Sequence, residues 1–203
     1  MQTQHTYIDF NNFEALAQQQ DILNSLTSNY CRIFGEPDVW NETYDHDEIR
    51  EKLQQELSGT SALRVCLDTE SNEVIGFCWA QLLDAAEIVT AVQSVHFYTA
   101  YGAPDVDQAL HNIIGKNAVI YVQDLGINKA YRGSIPLEQL ICPVIENVSK
   151  RAQTRNVFFW SVADTCIGWL AEKTGIRTAL TIGKMQFFGG EFPEPEFIQS
   201  LVK

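Results

Sequence analysis

Apolar and polar positions fall into blocks along this chain, and the clearest block runs from Ala118 to Val148. Val119, Ile120, Tyr121 and Val122 form an apolar, β-branched run that suits a buried, pleated backbone and predicts a strand. Leu137, Leu140, Ile141, Val144, Ile145 and Val148 recur at a period of about 3.6 and predict a helix with one apolar face. The polar turn between them, Asn128 to Ile135, carries Lys129, Arg132 and Gly133. A strand that feeds a loop and then a helix start presents free backbone N–H groups at the positive end of a dipole, which suits a bound phosphate.

The remaining blocks are weaker but ordered. Residues 1–12 are polar and read as a frayed end or as a first strand over Thr6 to Phe10. Phe13 to Phe34 places Leu16, Ile22, Leu23, Leu26, Tyr30 and Ile33 at roughly helical spacing, and Gly35-Glu-Pro37 stops it. Trp40 to Tyr44 reads as a loop. Asp45 then caps a short helix that runs to Leu57, with Glu48 completing a capping box. Ala62 to Asp68 and Glu73 to Leu83 read as two strands joined by the turn cluster Thr69 to Asn72.

Residues 84–117 carry two short helical patterns, Ala85 to Val95 and Val106 to Ile114. Between these, Phe97, Tyr98 and Tyr101 flank the turn Gly102-Ala-Pro104, as core packing, an acceptor lid or a dimer contact. Pro143 sits inside the later helical pattern and predicts a kink or a later start. Lys150, Arg151 and Arg155 suit the negative end of that helix. Val157 to Val162 reads as a strand, and Asp164 as the cap of a helix through Lys173 that Gly175 ends. Ile176 to Phe188 reads as one or two strands around Gly183, with a Pro-containing tail from Glu191.

Composition narrows the class. At 203 residues a single domain over 1–203 is expected, long enough to bury a substantial core. A net charge of −12 and a pI near 4.6 argue against a nucleic-acid surface, though not against a local basic pocket for a phosphate. The five cysteines, Cys31, Cys66, Cys78, Cys142 and Cys166, are dispersed without a CxxC motif. They fit reduced thiols in a cytoplasmic protein. No apolar stretch is long enough to span a membrane, and the N-terminus lacks a secretory pattern. His5, His46, His96 and His111 show no ligand spacing for a metal.

Asp124 to Gly133 reads Asp-Leu-Gly-Ile-Asn-Lys-Ala-Tyr-Arg-Gly, which resembles the signature of the Gcn5-related N-acetyltransferases, the GNAT superfamily. In that family a strand ends in a small apolar triplet, and a glycine-rich loop before a helix holds the pyrophosphate of acetyl-CoA. Leu125, Gly126 and Ile127 match the triplet, and Tyr131-Arg132-Gly133 match the opening of the loop. Val74 to Ala80 resembles the family's strand before the central one, and the two early helices around Trp40 resemble its acceptor side. The likeness spans Ile33 to about Phe188.

Ile135 and Leu137 stand where the family prefers glycine, with Pro136 between them. A side chain there limits how near the backbone comes to a phosphate, and Pro136 removes a donor. A lost hydrogen bond to a charged group, about 1.5–3 kcal/mol, weakens binding roughly ten- to a hundredfold.

The resemblance implies an α/β (α+β) fold with a mixed, mostly antiparallel central sheet flanked by helices. It implies acetyl-CoA as co-substrate and transfer of an acyl group to a small-molecule or peptide amine. The alternative is a catalytically lapsed relative that binds acyl-CoA or a protein partner. A homodimer stays open.

In this scheme backbone N–H groups at Leu125, Gly126 and Ile127 polarise the thioester carbonyl. Arg132, Gly133 and Ser134 belong to the phosphate loop, with the Ser134 hydroxyl as a helix cap rather than a nucleophile. Lys150, Arg151 and Arg155 gain a second role against the adenosine phosphate. Asp164 stands where Asn often binds cofactor or substrate, with capping as its other role. Asp124 is the candidate base or a paired structural acid, and Gln123 replaces the carboxylate that often precedes it. Ala171 occupies the position of the usual acid, a tyrosine, and cannot donate a proton.

Overall fold

The computed structural model describes residues 5–36, 42–93, 104–162, 165–194, 196–197 and 200. Its elements in chain order are β1 (His5–Phe10), α1 (Phe13–Ala17), α2 (Gln20–Phe34), α3 (His46–Glu56), β2 (Ser61–Asp68), β3 (Val74–Leu83), α4 (Ala85–Gln93), α5 (Pro104–Ile114), β4 (Val119–Ile127), a 3-10 turn (Lys129–Tyr131), α6 (Leu137–Ala152), β5 (Asn156–Val162), α7 (Cys166–Thr174), β6 (Arg177–Ile182) and β7 (Met185–Glu191). The strands pair in the order β1-β2-β3-β4-β5-β7-β6. All pairings with a defined register are antiparallel except that of β4 with β5. The fold is therefore the mixed, mostly antiparallel sheet with helices that the sequence implies. The chain forms two compact units, residues 1–81 with 123–151 and residues 82–122 with 152–203.

In the first unit, β2 and β3 are buried along nearly their whole length, because helices supply a cover of Leu, Ile and Phe side chains. The spacing over Phe13 to Phe34 resolves into two helices rather than one. Leu16 and Ile22 are six positions apart, out of phase for one apolar stripe, and Gln18 and Gln19 stand where that stripe needs apolar residues. The capping box of α3 forms as expected. Asp45 Oδ1 accepts from the Asp47 and Glu48 amides at 2.7 and 2.9 Å, and Glu48 Oε2 accepts from the Asp45 amide at 2.9 Å.

Helix α6 runs through Pro143 without interruption. A proline at 143 cannot donate to the carbonyl of Gln139, four residues earlier. Arg64 from β2 does so instead, at 3.0 Å, while its other nitrogens clasp both Asp9 oxygens at 2.7 Å. The substitution of a guanidinium for a missing amide explains why no later start is needed.

In the second unit, α4 and α5 match the two short helices expected between residues 84 and 117, and the aromatic cluster of Phe97, Tyr98 and Tyr101 lies outside the described residues. Ile88, Val92, Leu110, Tyr121, Phe158 and Phe187 form its core. β5 pairs with β7 and β7 with β6, while β4 pairs with β5 only at Ile120–Val157 and Tyr121–Phe158. Gly175, at φ +73°, closes α7 in the left-handed conformation that glycine adopts freely. The N-cap of α7 is Thr165, whose hydroxyl makes no cap bond but lies 2.6 Å from Ser161 Oγ. Asp164, expected as that cap, lies outside the described residues.

Candidate active site

The strand end and the loop belong to the first unit. Gly126 is buried where β4 crosses the Phe77 ring, and a Cβ there would sit 2.6 Å from that ring. Glycine at 126 thus serves close packing. The flanking Leu125 and Ile127 are half-buried. The Asn128 amide donates to Ile75 O at 2.9 Å, and its side-chain amide reaches Asn29 Oδ1 at 3.1 Å, which fixes the chain as it leaves the strand.

Beyond Asn128 the 3-10 turn delivers Arg132 and Gly133 to the surface. Arg132 donates to Ile127 O at 3.1 Å and pairs with Glu36 at 2.7 Å, so its guanidinium braces the loop. Gly133 has φ +87°, which a side chain would strain. The Ser134 hydroxyl does not cap the helix. It donates back to Tyr131 O at 2.7 Å, because α6 begins only after Pro136. Among the described residues, no hydrogen bond engages the N–H of Gly133 or of Ile135.

Ile135 stands in place of a glycine yet is buried. A Cβ at Gly76 of β3 would lie 3.4 Å from Ile135 Cδ1 and 3.3 Å from Leu140 Cδ1, so both side chains rest against that glycine. Leu137 is half-buried at the start of α6. Of the three cations near the later helix end, Arg151 donates to Ser61 O, and Arg155 binds the Phe192 and Pro193 carbonyls and Glu194. These contacts give both arginines structural partners. Ala171 is buried.

Asp124 sits one residue before the triplet, its side chain 15% exposed. Lys52 Nζ lies 3.2 Å from Asp124 Oδ2 and 2.6 Å from Glu56 Oε1. The indole N–H of buried Trp79 donates to the other Glu56 oxygen at 2.8 Å, and the Tyr30 hydroxyl donates to Asp124 Oδ2 at 3.4 Å. Tyr44 stands edge-on to Tyr30 at 5.4 Å and donates to Glu42. The sequence points to Asp124 alone. Lys52, Glu56 and Tyr30 come from α3 and α2, and no local motif announces them.

Burial pushes the Asp124 carboxyl up to about 7, with the Glu56 charge adding to it and Lys52 opposing. Burial pulls Lys52 down, but Asp124 and Glu56 together outweigh it, and its ammonium is held more firmly than usual. At Asp124 burial outweighs the opposing pull of Lys52, whereas at Lys52 the two carboxylates outweigh burial. Burial, then the Asp124 charge, raises the Tyr30 phenol. Among the described residues, no group of three or more His, Cys, Asp or Glu side chains could hold a metal ion.

No family model matches the sequence, and no curated protein matches it. Solved structures do. An arylalkylamine N-acetyltransferase-like protein 5b from mosquito shares 14% identity over 92% of this chain and 100% of its own, with a TM-score of 0.60. A GNAT-family acetyltransferase from Streptococcus pneumoniae shares 10% identity over 94% and 100%, with a TM-score of 0.57. The fold is that of the Gcn5-related N-acetyltransferases. Arabidopsis thaliana NAA60, solved with acetyl-CoA, shares the GNAT fold at 15% identity over 93% and 98% of the two chains, TM-score 0.51. Within the sheet, β4 lies between β3 and β5, fourth of the seven strands.

Proposed function

We propose that this protein binds acetyl-CoA and transfers its acetyl group to an amine of a small molecule or peptide. The observation that carries the reading is Asp124, a largely buried carboxylate at the end of the central strand of a GNAT fold, with its proton affinity raised toward neutrality. In this reading Asp124 takes the proton from the acceptor ammonium. The neutral nitrogen then attacks the thioester carbonyl and the C–N bond forms; as the tetrahedral intermediate collapses the nitrogen gives up its second proton, the C–S bond breaks, and that proton passes through solvent to the departing thiolate. Backbone amides of Leu125, Gly126 and Ile127 steady the developing oxyanion.

The phosphate loop supports the same reading. Gly133 and Ile135 offer N–H groups that no hydrogen bond engages among the described residues, next to the start of a helix of 16 residues. The Ile135 side chain is directed into the core, so the departure from glycine need not crowd a phosphate above the backbone. Arg132 and Ser134 shape the loop. The free thiols of Cys31, Cys66, Cys78 and Cys142 support a cytoplasmic setting.

The test is release of free CoA from acetyl-CoA in the presence of a panel of alkylamines, arylalkylamines and peptide N-termini. Loss of a general base costs about 10²–10⁴ in rate, so Asp124→Asn lowers turnover by that order with a smaller change in KM. An unchanged rate removes Asp124 from the mechanism. Buried Ala171, in place of a phenolic acid, favours a second reading, a lapsed enzyme that holds acyl-CoA. That reading predicts acetyl-CoA binding with no CoA release for any amine.

A further inference from the structure

Lys52 and Glu56 have no assigned role, and their geometry is specific. One ammonium touches both carboxylates, Glu56 Oε1 at 2.6 Å and Asp124 Oδ2 at 3.2 Å. The second Glu56 oxygen is held by Trp79 Nε1 at 2.8 Å, so Glu56 is anchored from a fully buried indole and cannot swing freely. Lys52 is 27% exposed on its side chain, and each carboxylate side chain 15%, so the trio is largely withdrawn from water.

We propose that Lys52 and Glu56 are positioning residues for Asp124. Lys52 orients its carboxylate, while Glu56 holds part of the lysine's charge away from it, so that the three groups bind and release one proton as a unit. The inference rests on the acyl-transfer reading for the use made of that proton, and on geometry alone for the coupling.

The argument is electrostatic. A lone Lys–Asp pair would hold the aspartate ionised far below neutral pH, where it is a poor base. A second carboxylate on the same ammonium leaves one negative charge uncompensated, and partial burial makes that surplus costly. A single proton removes the surplus. The other groups facing Asp124 are Tyr30 from α2, Tyr44 from the segment before α3, which itself holds Glu42, and Cys78 from β3. Burial raises the Tyr30, Tyr44 and Cys78 groups above their ordinary values, so they stay neutral across the range in which Asp124 titrates. Burial is the first cause of the upward displacement of Asp124, with Lys52 lowering it and Glu56 raising it, the two signs that this arrangement requires.

The experiment is a pH titration of the full chain carrying 13C-labelled carboxyl groups. The Asp124 resonance is assigned by its loss in Asp124→Asn, and its midpoint is followed in the wild type, Glu56→Gln and Lys52→Met. Removing the competing carboxylate lowers the midpoint by about one pH unit or more in Glu56→Gln, and removing the cation raises it by about one unit or more in Lys52→Met. Glu56→Gln keeps the shape of the side chain and an oxygen for Trp79, so it decides the matter even if Lys52→Met fails to fold. A midpoint in Glu56→Gln at or above that of the wild type overturns the proposal, as do shifts of the same sign in both variants. The acidic limb of the pH–rate profile for acetyl transfer moves in the same two directions. If no amine is acetylated, the resonance midpoints still decide the coupling, so failure of the transferase reading stays separate from failure of this one.

Discussion

Asp124 is a carboxylate moved largely out of water beside a second carboxylate, and its effect on stability has a definite sign. Its proton affinity in the folded protein is raised to about 7, above its ordinary value. The native state therefore binds this proton more tightly than the unfolded chain does. The associated stability is full at acid pH and is lost as the pH rises through about 7. Denaturation of the wild type and Asp124→Asn at pH 5 and pH 8 checks this. The wild type gains more on acidification than the variant, with a slope difference of at most about 1.4 kcal/mol per pH unit for one proton. Equal slopes would refute the assignment.

Gly126 gives a second expectation. A methyl group there would meet the Phe77 ring at 2.6 Å, so Gly126→Ala costs about 1–3 kcal/mol in urea unfolding through overpacking. Asp124 and the triplet are legible in the sequence because strand, turn and helix follow one another locally. Lys52 and Glu56 left a fainter mark. They occupy the stripe set by Ile49, Leu53 and Leu57, where a lysine and a glutamate four apart read as an ordinary surface pair. Only the approach of β4, distant in sequence, turns that pair into a site.

Among the elements, α6 carries the most information. Its apolar face was readable from spacing, but its continuity through Pro143 was not, since the compensating donor comes from β2. Arg64→Met therefore costs more in the wild type than in a Pro143→Ala background, where residue 143 can donate to Gln139 O itself. The loss of Asp9 is common to both backgrounds, so the double-mutant cycle isolates a coupling of about 0.5–1.5 kcal/mol. A coupling of zero would mean that Arg64 does not replace the missing amide. The loop before α6 behaves likewise. Ile135 looks like a defect when read against a glycine pattern, yet its side chain lies in the core. Ile135→Ala lowers stability by about 2–4 kcal/mol and leaves the acetyl-CoA dissociation constant within about threefold. A much tighter complex would show instead that the side chain obstructs the ligand. The division of Phe13 to Phe34 into α1 and α2 was not legible in the sequence, because the run is roughly helical throughout and the phase slip between Leu16 and Ile22 is small beside it.

For the molecule as a whole, the fold matches that of solved GNAT structures at 10–15% identity. The sheet and helices need only the right period of apolar residues, which many sequences satisfy. The chemistry needs particular side chains, and Ile135, Leu137 and Ala171 depart from the glycines and the tyrosine that the GNAT resemblance implies. The claim on which the account stands is that amides between Arg132 and the start of α6 still receive the diphosphate of acetyl-CoA. Isothermal titration of the full chain with acetyl-CoA tests it most directly. The account predicts saturable heat for one site, with a dissociation constant between about 1 μM and 1 mM. Absence of heat with acetyl-CoA at millimolar concentration would contradict it.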